Sequence, residues 1–268
     1  MVPRSVGWRD ASTFTGFCAR HDSQTFAPLE TTRFCGTDEQ CFLIGYRALC
    51  HEVYEKKGFL RAGPVVLDLV DRGRPLEIQA ELHRKYALMD SGARKGLDSF
   101  LRLKDLMDRQ LLVAEYSGWS RVIVQFRGDL CVVSTGAVSP NRNMENEKLQ
   151  VLHDVDADQE TLLFGVVTTT EGGAVVLTWP TPQLAPRKFL ESLLAKGEAR
   201  LPSMLVQFMF AYVGNTYFSE DWWSSLPDED RRHLTDLATM SNAYYTDFLY
   251  APSLIVPWQV SGVIRVAA

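Results

Sequence analysis

Apolar residues change their spacing twice along this chain, and that switch limits the fold more than any other feature. From Thr37 to about Ala114 they recur at the period of a helix lying on a core. Between 121 and 180 the pattern turns into β-branched runs separated by glycine-containing turns. After Pro186 the helical period returns. Helices, strands and helices in segregated blocks point to α+β rather than to a doubly wound parallel sheet. With 268 residues, 46% of them hydrophobic, the chain can bury a core without disulfides or metal. The expectation is a single α+β domain over 1–268. Its helical N-terminal and C-terminal segments pack on a central antiparallel sheet of about four strands.

Residues 1–36 read as a loop-rich Cys/His segment, 37–115 as helical, 121–180 as antiparallel β and 186–268 as mainly helical. Thr37-Asp38-Glu39-Gln40 is a capping box, in which Thr37 accepts from first-turn amides and Gln40 reaches back. The helix it opens is expected to end at Gly58, followed by a short buried turn over Pro64 to Val70. A second helical stretch runs from Pro75 to about Ala114 with a break at Ser91-Gly92. Arg121 to Phe126 and Leu130 to Ser134, joined by Arg127-Gly128-Asp129, carry a hairpin signature, and 161–169 with 174–179 repeat it around Glu171-Gly172-Gly173. Helices are expected at 187–196, 201–212 and 227–250, and one or two strands at Ile255 to Val266.

The net charge of −5 argues against bulk electrostatic coating of nucleic acid, though not against a local basic groove. Arg84, Lys85, Arg94, Lys95, Arg102 and Lys104 are the residues for such a groove, or else a solvated helix face. Five cysteines without paired spacing suggest a reducing compartment. The start has no apolar signal region and no stretch spans a bilayer, so a cytoplasmic protein with no membrane partner is expected. There is no phosphate loop, dinucleotide fingerprint, His-Glu-x-x-His or Gly-x-Ser-x-Gly.

Chemistry concentrates in Gly16-Phe17-Cys18-Ala19-Arg20-His21-Asp22. Cys18-x-x-His21 is half of a four-ligand zinc site, with Asp22 as an acceptor orienting His21. Cys35, just before the capping box, is placed like a loop ligand, which makes Cys18, His21 and Cys35 the candidate metal set. Cys41 and Cys50 are nine residues apart, about half a turn out of phase on one helix, and do not make a joint second half. The same pair also reads as a thiol nucleophile, Cys18, activated by a histidine. His153-Asp154 is the distant base for that reading, and His51-Glu52, facing out from the first helix, is another.

Asp154, Asp156 and Asp158 alternate as a hard-cation site or a solvated acidic loop. Tyr212, Tyr217, Phe218, Trp222 and Trp223, then Tyr244, Tyr245, Phe248 and Tyr250, could stack bases or hold a partner peptide, or else Trp222-Trp223 before Pro227 staples the last helix onto the sheet.

Ala11 to Cys18, His21-Asp22, Phe26-Ala27-Pro28-Leu29-Glu30, Tyr46-Arg47-Ala48 and Glu52 resemble a segment of a group of uncharacterised bacterial proteins. There, similar segments follow a stretch bearing further Cys and His, in the manner of a zinc-knuckle or HNH-like half-site. The resemblance covers roughly the first sixty residues, and Met1 to Phe17 holds no further Cys or His. It implies zinc binding, with action on or binding to nucleic acid, in a defence setting, as the accompanying expectation. A Cys18-dependent hydrolase or transferase and a non-catalytic interaction module stand as the alternatives.

Overall fold

The computed structural model describes residues 3–7, 16–152, 158–239 and 254–267. Among these, the chain forms α1 (Ala19–Thr25), α2 (Ala27–Glu30), α3 (Asp38–Asp71), α4 (Leu76–Val113), β1 (Trp119–Arg127), β2 (Val132–Val138), β3 (Leu162–Thr168) and β4 (Gly172–Pro180). Then follow α5 (Leu184–Leu194), α6 (Leu201–Tyr212), β5 (Thr216–Phe218), α7 (Glu220–Ser225), α8 (Asp228–Thr239) and β6 (Gln259–Val266). This is the α+β order read from the spacing of apolar residues. Among the described residues the sheet has six antiparallel strands instead of about four, in the order β5-β2-β3-β4-β1-β6. The C-terminal β6 is the strand expected within 255–266, the three-residue β5 has no counterpart among the expected strands, and both add to the edges of the central four.

Side chains alternate across the sheet, as strand geometry requires. Val122, Val124, Phe126, Leu162, Phe164, Val175 and Leu177 join a core with α5, α6 and α8. Ile123, Ala174 and Val176 face the opposite way, against Cys41 and Ile44 of α3. Two glycines allow α3 to lie close to the sheet. A Cβ on Gly45 would come within 2.7 Å of Thr178 Cγ2, and one on Gly165 within 2.7 Å of Ile44 Cγ2. Polar ties complete the layers. Arg121 pairs with Asp38 at 2.6 Å, and His233 Nε2 meets the buried Gln207 Oε1 at 2.9 Å between α8 and α6.

The expected hairpin between β1 and β2 does not form. β1 pairs with β4 and β6, while β2 pairs with β3 and β5. The four central strands therefore take a Greek-key order, and the short β1–β2 connection crosses over the β3–β4 turn. Glycines make room for the crossing. A Cβ on Gly172 would lie 2.6 Å from the Phe126 carbonyl oxygen, and one on Gly173 would lie 2.9 Å from Leu130 Cδ1. Arg127-Gly128-Asp129 turns toward the chain entering β6 instead of toward β2, with Trp258 Nε1 donating to the Asp129 carbonyl at 3.0 Å. The β3–β4 hairpin forms as expected.

Helix α3 does not stop at Gly58, and α4 does not break at Ser91-Gly92. The two run antiparallel, tied by Tyr46 Oη, which donates to Asp108 at 2.7 Å and accepts from Lys104 Nζ at 3.4 Å. Further out, Tyr86 packs where Gly63 has no side chain. This long-range pairing outweighs the local cost of a glycine or a proline in a helix. Val65, Val66, Leu69 and Val70 are exposed on α3, so the expected buried turn is instead the outer end of a helical arm.

Glu52 marks the inner end of this arm. It is half-buried and accepts from the Ala137 amide, and desolvation raises its pKa from an ordinary 4.5 to about 7. The folded protein thus holds a proton that the unfolded chain releases between those values. This contribution to stability is fully present below about 4.5 and is lost as pH rises through about 7. Glu52→Gln is expected to remove that decline, measured as the difference in unfolding free energy between the two proteins across this window. A profile unchanged by the substitution contradicts the assignment.

Candidate functional site

The N-terminal segment is built on an aromatic anchor. Phe26 is fully buried between α1 and α2. Phe17 meets its ring edge-on at 5.3 Å, and Tyr46 of α3 lies 6.2 Å from it. The Arg47 guanidinium sits 4.0 Å above the Phe26 ring and pairs with Glu30 of α2 at 2.5 Å. It also lies 3.9 Å from Asp22 of α1. Asp22, Phe26 and Glu30 thus converge on Arg47 in one N-terminal unit, with Phe17 and Tyr46 packed on the Phe26 ring.

On that unit Cys18 is the residue preceding α1, in an extended conformation, and the Asp22 amide donates to its carbonyl at 2.9 Å. Positions three apart share a helix face, and Cys18 Sγ lies 3.3 Å from His21 Nδ1, both residues exposed. Asp22 is directed toward Arg47, and among the described residues no hydrogen bond joins it to His21. The orienting role expected of Asp22 is therefore absent, because adjacent helical positions point in different directions. Cys35 Sγ donates to the Arg33 carbonyl at 3.3 Å. Among the described residues no three His, Cys, Asp or Glu are grouped to hold a metal, so Cys35 does not join Cys18 and His21 as a third ligand there.

The remaining candidates separate cleanly. Cys41 packs against the sheet and Cys50 in the α3–α4 core, as their half-turn offset requires. Burial pushes the Cys41 thiol up to about 12, Cys50 to about 11 and Cys131 to about 12, which leaves them protonated and inert. In folded protein treated with chelator, a disulfide thiol reagent is expected to titrate two cysteines, the exposed Cys18 and Cys35, and all five after denaturation. A third fast thiol contradicts this.

His51 is buried, not outward-facing, because α4 and the sheet cover that part of α3, and desolvation lowers its pKa. His153, Asp154 and Asp156 lie outside the described residues, as do Tyr244, Tyr245, Phe248 and Tyr250. Asp158 pairs with Arg102 at 2.6 Å. Trp222 is buried in the core, and Trp223 stacks on Phe218 at 4.6 Å. The two rings therefore pack on Phe218 of β5 and Phe210 of α6. Of the basic residues on α4, Lys85, Arg94, Arg102 and Lys104 are each matched by a carboxylate.

Sequence reasoning missed a cleft of about 740 Å³ whose lining includes Glu30 and Arg47 of the N-terminal unit. The α2–α3 loop, Ile44 and Arg47 form one side. β2, the end of β3 and Asn215 form the other. Gln40 fixes the loop, accepting from the Cys35 amide at 2.7 Å and donating to the carbonyls of Pro28 at 3.1 Å and Arg33 at 3.0 Å. No local motif announces this cleft, because strands far apart in sequence make it.

No protein-family model matches the chain, and neither a curated protein nor a solved structure matches it significantly. Among the described residues no helix is long and apolar enough to cross a membrane.

Proposed function

We propose that Cys18 and His21 are two ligands of a zinc site in a zinc-knuckle or HNH-like protein that binds or acts on nucleic acid. One observation carries the metal part. With Zn–S near 2.3 Å and Zn–N near 2.0–2.1 Å, two ligands at a tetrahedral angle stand about 3.6 Å apart. Cys18 Sγ and His21 Nδ1 are 3.3 Å apart on a backbone anchored by Phe17 and Phe26. The pair is thus close to a chelating bite and open to further ligands. In the bound state the metal would pin the first turn of α1, and Arg47 would hold the unit on α3.

The nucleic-acid part rests on the resemblance, and the matched charges of α4 give it no additional support. Any contact would run through the knuckle, where Arg20 is exposed beside the pair. Purified protein is expected to retain zinc, and Cys18→Ser and His21→Ala are expected to lose it with unchanged circular dichroism. Zinc missing from the parent protein, or equal in all three, overturns the metal reading. Binding of a labelled duplex that fails to depend on zinc removes the nucleic-acid part alone.

The same contact favours a second reading, in which Cys18 is a nucleophile and His21 its base. Metal-free protein would then alkylate rapidly at Cys18 near neutral pH, and His21→Ala would slow it. Slow alkylation excludes this reading.

A further inference from the structure

The cleft opens where two neighbouring strands part. The β2–β3 ladder runs from Val138↔Leu162 to Thr135↔Gly165 and stops there, although both strands continue. Val132 to Ser134 pair on their far side with β5, and Val166 to Thr168 pair on their far side with β4. Their facing edges form a fork with no ladder between them. Strand edges carry rows of amide donors and carbonyl acceptors that need partners.

Val133, Thr135, Gly165, Val167 and Thr168 line the fork together with Asn215. Asn215 is 8% exposed, and its Nδ2 has no hydrogen-bond partner. Its own carbonyl is used by Ser134 Oγ at 3.2 Å. A buried amide donor without an acceptor costs stability unless something supplies one. The fork and this side chain are separate observations, and both call for a ligand that brings main-chain-like acceptors and donors.

We propose that the β2–β3 fork binds an extended peptide segment by strand addition, with the peptide backbone pairing along Val166 to Thr168 and a peptide carbonyl accepting from Asn215 Nδ2. A volume of about 740 Å³ suits a short extended segment and lies within the usual range for ligand pockets. Recognition by main-chain bonds demands a peptide free of proline in the paired register and tolerates varied side chains at alternate positions. This goes beyond the metal reading and does not depend on it.

The test pans a phage-displayed library of random heptapeptides on the full chain, with synthetic versions of the selected peptides measured by fluorescence anisotropy. Selected peptides are expected to bind the parent protein and to lose binding to Val133→Trp, which fills the floor. Thr168→Trp, at an exposed position, serves the same purpose should the first variant unfold. N-methylation at alternate peptide positions is expected to weaken binding by about 10-fold or more, since it removes the amide proton and leaves the side chain. Asn215→Ala should weaken binding by about 3–10-fold without lowering the melting temperature, because its Nδ2 makes no bond in the free protein. Failure to select any peptide overturns the proposal. So does equal binding to both tryptophan variants, or indifference to N-methylation at every position. A small molecule that copurifies in native mass spectra and is lost on Thr168→Trp overturns it in favour of a small-ligand pocket.

Discussion

Gly128→Ala is expected to be among the most destabilising single substitutions in the chain. Gly128 has φ +106, a region in which L side chains are strained, and a Cβ there would run into the carbonyl oxygen of Pro257. The obstacle is backbone, fixed by Trp258, whose ring stacks on Phe126 at 4.2 Å. Side-chain rearrangement therefore cannot relieve the clash. Backbone strain of ~1–3 kcal/mol and overpacking of ~1–3 kcal/mol together give a loss of about 2–6 kcal/mol. Chemical denaturation of the purified variant measures it. A loss below about 1 kcal/mol would mean that the β1–β2 connection and β6 do not meet as described.

Phe26→Ala is the second large effect. Its ring is fully buried and is shared by Phe17, Tyr46 and the Arg47 guanidinium. Removing a buried phenylalanine costs about 3–5 kcal/mol in transfer free energy and cavity. The consequence is larger than stability alone, because α1 and α2 have no other buried aromatic anchor among the residues they contribute. Limited proteolysis is expected to cut the variant within 16–36 first, and zinc retention is expected to fall with it. A variant that loses stability while keeping both protease resistance and zinc would separate the knuckle from its anchor and contradict the account of the unit.

The sequence showed the element types clearly and their long-range pairing poorly. Helical and strand periods located α3 to α6 and the central strands, since one-sided burial writes itself into spacing. The Thr37 cap was visible for the same local reason, and Thr37 Oγ1 does accept from the Gln40 amide at 3.2 Å. What failed was decided at a distance. Arg127-Gly128-Asp129 looks like a hairpin turn from its letters, yet residues 257–259 occupy the place where β2 would pair. Gly58 and Pro64 look like helix stops, yet α4 supplies the packing that carries α3 through them. The Cys18–His21 pair was visible as a motif, and the half-turn offset of Cys41 and Cys50 correctly separated them into different clusters. The direction of Asp22 was not visible, because it depends on Arg47 one helix away. The fork at β2 and β3 has no sequence signature at all, since it arises from β5 pairing with the start of β2.

The central claim is that Cys18 and His21 together hold zinc, and zinc K-edge X-ray absorption on the metal-loaded protein tests it most directly. The account predicts a sulfur shell at about 2.3 Å beside nitrogen at about 2.0–2.1 Å, with the bound zinc and its sulfur shell both lost in Cys18→Ser. A first shell of nitrogen and oxygen alone in the parent protein, or a sulfur shell that survives Cys18→Ser, would contradict it.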